Sequence, residues 1–346
     1  MQRSKDAGVN FSSAPLRPCS PAYLHSFAFI SSEMASALQK YFVSPRVPNV
    51  AAGFVEDDFA VVDIRRRRGG FSLAASALTR LPQGLVTPGF DKENIQDTSE
   101  LAEIVRHTAE AAGLRNKKRW SVALPEGVAR TLIVTLESKP ASRRELNEVL
   151  NWKIERLIAV PVGELRISRQ RISPAAQQER YLITVARDEV ISHYESIFFG
   201  AGWHSGLMLP RHMGEAQWLI MDRSPGDKML VSANPSGFTS VVVRGGEPVL
   251  VRTHECEVDS RADELHRFAL YYRDRLGDGR VEGNVLTGLL VLGGINLADS
   301  LSAIVAATES EPRPIDPLDF GLDFKGEPIG FDQLAGVAGL ASIAWQ

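Results

Sequence analysis

Residues 228–253 read KMLVSANPSGFTSVVVRGGEPVLVRT. Three short apolar runs, Lys228–Ala233, Phe238–Arg244 and Pro248–Thr253, are separated by turn residues, which predicts a three-strand meander. Gly245-Gly246 supplies the tight turn between the last two, because glycine adopts positive φ without a steric penalty. Residues 50–78, VAAGFVEDDFAVVDIRRRRGGFSLAASAL, predict a second meander. Here Val50–Phe54 and Phe59–Arg65 form a hairpin and Gly70–Leu78 a third strand. The basic run Arg65–Arg68 precedes Gly69-Gly70 and is read as a solvated hairpin tip, ahead of a nucleic-acid or lipid patch.

Each meander is followed by a helix and another strand. Thr98–Ala112 carries Leu101, Ile104, Val105, Thr108, Ala111 and Ala112 on one face, Gly113 stops it, and Trp120–Leu124 follows as a strand. Arg261–Leu276 turns Leu265, Phe268, Ala269 and Tyr272 inward and leads to the strand Val285–Val291. One architectural unit therefore occurs twice, at about 50–124 and 228–292, although the residues match poorly. Between the copies lie strands at Arg130–Leu136, Leu165–Ile172 and Tyr181–Ala186, and helices at Ser142–Ile158, Asp188–Phe199 and near His212–Met221. Helices at Asn296–Ala307 and Asp332–Ala344 complete the chain. In Ser142–Ile158, Ser142 and Glu145 are placed as a capping box, and Leu146, Val149, Leu150, Ile154, Leu157 and Ile158 make one stripe.

The chain has 346 residues, 44% of them hydrophobic, which is enough for two ordinary cores. A formal net charge of −3 gives no global electrostatic attraction to nucleic acid or anionic lipid. Two cysteines, Cys19 and Cys256, fit a reducing compartment rather than a disulfide framework. No apolar run approaches the roughly 20 residues of a membrane-spanning helix, and Ala22–Ile30 reads as neither signal peptide nor anchor. Membrane association is therefore expected only through a partner, with no direct insertion. Residues 1–46, rich in Ser and Pro, are expected to be a poorly ordered extension, or to precede the true start of translation.

The duplicated unit resembles the plan of the superfamily that holds actin, the heat-shock chaperone ATPases and the sugar kinases. Within it, several segments resemble the type IV pilus assembly PilM family: ASRRELNEVLNWKIERLIAVPVGEL, YLITVARDEVISHYESIFFGAGW, LVSANPSGFTSVVVRGGEPVLVR, LPEGVARTLIV and AGLASIAW. Their order and spacing over about 47–346 carry the resemblance. It implies an α/β, two-lobed actin-like ATPase fold of duplicated ribonuclease-H-like domains. Lobe 1 would span 47–225 with a small inserted subdomain at about 137–179, lobe 2 226–317, and a return helix 318–346. It also implies a cytoplasmic location peripheral to the inner membrane, and a groove beside the small subdomain that captures the cytoplasmic tail of a bitopic, PilN-like inner-membrane partner. Arg143, Asn151 and Arg156 are the expected partner-binding residues, and self-association is a further expectation.

Members of the superfamily hold ATP with Mg²⁺ between two strand–turn–strand loops, each offering an Asp for the metal and a Gly for close backbone approach. In this chain Gly53 falls at the first Asp position and Val55 at the first Gly. Ser232 stands at the second Asp and Asn234 at the second Gly, and Pro235 removes an amide donor. Glu56, Asp57 and Asp58 cluster in the first turn, where like charge repels a triphosphate. Ser236 and Thr239 remain as possible anion contacts, and Gly293 and Gly294 ahead of Asn296 are placed as the adenosine element, offering a helix N-terminus. No catalytic residue and no metal ligand is assigned. His254 and Cys256 give at most two ligands on one side. The leading expectation is a scaffold with a degenerate nucleotide site. The alternatives are an active ATPase whose nucleotide state switches partner binding, and a kinase-like enzyme of the same superfamily.

Overall fold

The computed structural model describes residues 47–172, 178–276, 285–324 and 329–345; the extension expected over 1–46 lies outside the described residues. The chain begins with the meander β1 (Val50–Val55), β2 (Asp58–Arg67) and β3 (Gly70–Arg80), crosses through α1 (Thr98–Ala111), and returns as β4 (Arg119–Leu124). A small unit follows: β5 (Ala129–Thr135), α2 (Arg143–Ile158), β6 (Leu165–Ile172) and β7 (Arg180–Arg187). Next come α3 (Asp188–Gly200), β8 (His204–Pro210) and α4 (Arg211–Met221). The second meander is β9 (Asp227–Asn234), β10 (Gly237–Arg244) and β11 (Glu247–Glu255), followed by α5 (Arg261–Leu276), β12 (Leu286–Leu292), α6 (Leu297–Thr308), β13 (Arg313–Pro314) and α7 (Phe331–Ser342).

The two large sheets have the same plan. One runs β3-β2-β1-β4-β8 and the other β11-β10-β9-β12-β13. In each, the meander is antiparallel and the next two strands are parallel. Parallel neighbours need a long crossover, which α1 and α5 provide. The duplication expected from the two meanders is present, and each copy carries one strand beyond it. β8, read HSGLMLP, was not expected: Gly206 and Pro210 interrupt the apolar pattern, and the strand is defined by pairing with β4 rather than by its own alternation.

Between the sheets run α4 and α7. They cross so closely that a Cβ on Gly339 would overlap the Gly214 carbonyl, and one on Gly214 would overlap that of Gly336. A single apolar cluster joins Ala51, Val62 and Ala123 of the first sheet to Leu230, Val241 and Leu290 of the second through Ala216, Leu219, Val337 and Leu340. Trp218 on α4 donates its indole N–H to the Ala335 carbonyl at 2.8 Å.

The small sheet has the order β5-β7-β6, antiparallel throughout, so β5 and β7 flank the 137–179 expected for the insertion. α2 covers it with Leu150, Ile154 and Ile158 packed against Val134, Tyr181, Ile183 and Val185. Leu157 departs from the expected stripe and is 58% exposed. Periodicity sets which face turns inward, not how far the short strands beneath extend. Ser142 caps α2 by accepting from Glu145 N at 3.1 Å. The Glu145 carboxylate accepts from Ala141 N at 2.6 Å, one residue earlier than a capping box places it. Among the described residues no helix is long and apolar enough to cross a membrane.

Candidate functional site

At the first turn, Gly53 does not sit in the loop. It lies inside β1, opposite Ala60 on β2 and Ala123 on β4. A Cβ there would come within 2.5 Å of Ala123 Cβ and 3.1 Å of Val337 Cγ2, so the position has no room for an aspartate. The turn itself is Glu56-Asp57, with Glu56 at φ 51°. Asp57 pairs at 2.8 Å with Arg80, both exposed, as a solvated turn should.

At the second turn, the polar groups are spent on one another. Asn234 Oδ1 accepts from Ser236 N at 3.0 Å and from Ser236 Oγ at 3.1 Å, an Asx-turn that fixes the loop. Thr239 is fully buried and accepts from Asn234 Nδ2 at 3.3 Å. Ser232 is buried on β9, and its hydroxyl lies 3.4 Å from Arg211 Nη2.

Arg211 is the residue that sequence reasoning missed. It opens α4 and is 5% exposed. Its Nη2 also donates to the Ala233 carbonyl, and its Nε lies 3.2 Å from Glu215 Oε1 as an ion pair. Burial works against its charge, but Glu215, Glu126, Glu56 and Asp332 outweigh it and hold the guanidinium's pKa up. The guanidinium thus bonds the end of β9, just before the second turn. Beside it, Glu126 accepts from His212 N at 2.8 Å and from His212 Nδ1 at 3.0 Å, while His212 Nε2 meets Thr131 Oγ1 at 2.9 Å. Burial would raise the Glu126 pKa; the charge and hydrogen bonds of His212, with the charge of Arg211, bring it down to about 2. Burial also pushes Glu215 up. One signal was available: a cation at a helix N-terminus opposes the macrodipole, so Arg211 directly after Pro210 calls for a compensating anion.

At the glycine pair expected to serve adenosine, the chain's own groups take up donors. Gly293 and Gly294 have φ of 78° and 69°. Gly293 N donates to Asp332 Oδ1 at 2.7 Å, so a carboxylate of the chain holds that amide. Asn296 caps α6 by accepting from Ala298 N at 2.8 Å and Asp299 N at 3.2 Å, which takes up the helix N-terminus expected to be open. Gly294 borders a cavity of about 370 Å³ lined by Val231, Phe238, Arg261, Leu265 and Asn296. A Mg²⁺–triphosphate does not fit this set. The positions expected to carry acids hold Gly53 and Ser232, the Gly293 amide and two amides of α6 are taken, and a buried guanidinium is bonded to the end of β9.

The other expected residues are dispersed. Arg143 is exposed on α2. Asn151, two turns on, accepts from Arg169 Nη2 on β6. Arg156 lies on a different side, with its guanidinium 5.4 Å from the Trp152 ring centroid. His254 stacks on Phe238 at 4.5 Å and meets Phe268 edge-on at 5.0 Å, a core contact; burial first, then Arg252, lowers its pKa to about 4.

No family model matches the sequence, and no curated protein matches it. Solved structures do. A chain of a PilM–PilN type IV pilus biogenesis complex matches at 18% identity and TM-score 0.65, covering 87% of this chain and 100% of its own. The cytoplasmic domain of EpsL, an inner-membrane component of the Vibrio cholerae type II secretion system, matches at 14% identity and TM-score 0.46, over 86% of this chain and 93% of that one. A Bacteroides thetaiotaomicron protein of actin-like ATPase fold and unknown function matches at 11% identity and TM-score 0.45, over 80% and 95%. With its duplicated sheets and small inserted sheet, this chain has the actin-like ATPase fold, built as in the PilM–PilN complex and divergent from it in sequence.

Proposed function

We propose that the chain is a cytoplasmic, actin-like scaffold of a type IV pilus or related secretion assembly platform. It grips the cytoplasmic tail of a bitopic, PilN-like inner-membrane partner, stays peripheral to that membrane through the partner, and does not turn over ATP. The observation that carries the last point is Arg211, a buried guanidinium bonded to Ser232 and Ala233 where the fold would otherwise bring phosphate and metal. The tail site is supported by charge. Residues 129–187 carry eleven Lys and Arg against six Asp and Glu, an excess that Arg166 and Arg187 spend in part on Asp188, Glu195 and Asp91 outside the span. Arg143, Asn151 and Arg156 lie within that unit, which favours an extended tail bearing acidic residues.

The test has two arms. Purified chain with Mg²⁺ and ATP should release no phosphate above background, and a PilN-like cytoplasmic tail peptide should bind. Arg143→Glu and Arg156→Glu should weaken that binding without lowering the melting temperature, since surface substitutions usually move stability by less than about 0.5 kcal/mol. Sustained phosphate release, or tail binding indifferent to both reversals, overturns the corresponding half. A second reading, nucleoside binding without turnover, is favoured by the cavity beside Gly294. Calorimetric titration with adenosine and with ATP distinguishes it, because only a cavity open to the base responds to adenosine.

A further inference from the structure

The residues that exclude a metal–triphosphate form one connected set, and its bonds run between the lobes. Arg211 follows β8 of the first sheet and reaches Ser232 and Ala233 at the end of β9 in the second. Glu126 follows β4 of the first sheet, holds His212 at the start of α4, and lies 3.5 Å from Thr239 Oγ1 on β10. Asp332 at the start of α7 holds Gly293 after β12. The planar fork of Arg211 is suited to this place: it offers several fixed donors and keeps its charge when buried. Glu56, Glu126, Glu215 and Asp332 all stabilise that charge. Without it, the buried Glu215 carboxylate would lose its ion-pair partner.

We propose that Arg211 is a built-in cation that latches the two lobes, so that holding them together requires neither nucleotide nor metal. The latch rests on the inactive-site part of the proposed function. In consequence the lobe angle of this chain is set by its own side chains, whereas a nucleotide-gated relative sets it by ligand.

Electron-spin distance measurement tests this on the full chain. Labels at Glu103→Cys on α1 and Arg275→Cys on α5 report the separation of the lobes, with Cys19 and Cys256 replaced by serine. The distribution should be the same with and without Mg²⁺ and ATP. Arg211→Met, close in length but uncharged, should shift it to longer and broader distances, and Arg211→Lys should fall between. A nucleotide-dependent shift in the parent chain overturns the latch, as does an unchanged distribution in Arg211→Met. If Arg211→Met does not fold, the parent chain and Arg211→Lys still decide. Phosphate release is recorded on the same samples. Release of phosphate overturns the inactive site of the proposed function and with it the latch that rests on it; a nucleotide-driven shift without release overturns the latch alone.

Discussion

Glu126 joins three parts of the molecule through one carboxylate: the β4–β5 connection, the start of α4 and the β10 hydroxyl. Its pKa is brought from the ordinary 4.5 to about 2. A carboxyl held below its unfolded value stabilises the fold fully above pH 4.5 and loses that contribution as pH falls toward 2. The size is on the order of 3 kcal/mol. Glu126→Gln should therefore lower stability at neutral pH, and its urea midpoint should fall less steeply than the parent's between pH 4.5 and 2. Parallel slopes in the two proteins over that interval would show that another group carries the acid sensitivity. At this scale the sequence carried the expectation that Gly53 and Ser232 stand in place of acids, but it did not point to Arg211 or Glu126. Arg211 is 21 positions from Ser232 and Glu126 is 86 from His212, and local pattern says nothing about such pairings.

α4 and α7 show how a helix-stabilising substitution changes sign in context. In an isolated helix, Gly339→Ala should gain up to about 1 kcal/mol. Here the added methyl overlaps the Gly214 carbonyl, so the helices must separate. The expected net loss is about 1–3 kcal/mol, as for other overpacked cores, and urea denaturation reads it directly. α2 offers a paired test. Leu150→Ala, at 1% exposure, should cost roughly 2–5 kcal/mol, while Leu157→Ala, at 58%, should cost almost nothing. Equal losses at the two positions would mean that Leu157 is covered in solution. The helices and both meanders were legible because period and turn residues are local. β8 was not, since Gly206 breaks its pattern and β4 defines it. The two-residue β13 is likewise defined by β12.

The whole molecule divides into lobes by topology, and each large sheet packs a cluster of its own on one face, but the cluster on the other face is shared. The cluster through Ala216, Leu219, Val337 and Leu340 touches both large sheets, so neither lobe can expose its half alone. Equilibrium unfolding of the described body should accordingly be one cooperative transition, with far-UV dichroism and tryptophan emission superimposing. Two separated transitions would show that α4 and α7 do not couple the lobes. The duplicated plan could be read from two stretches of sequence because strand order in each sheet follows from a meander plus a crossover helix. The shared core could not, because it is built by α4 and α7, which flank the second copy in sequence and meet only when the chain has closed.

The chain has five tryptophans, and Trp152 differs from the rest in what surrounds it. Trp120, Trp203 and Trp218 are at most 2% exposed and Trp345 is half-buried, whereas Trp152 is 56% exposed on the small subdomain and lies under the Arg156 guanidinium. Its emission should lie to the red of the buried indoles and respond selectively to acrylamide or iodide. A tail peptide seated beside Arg156 would shield it from those quenchers and shift the emission to the blue. The proposed docking event thus carries its own optical signal, measurable on unlabelled protein and lost in Trp152→Phe.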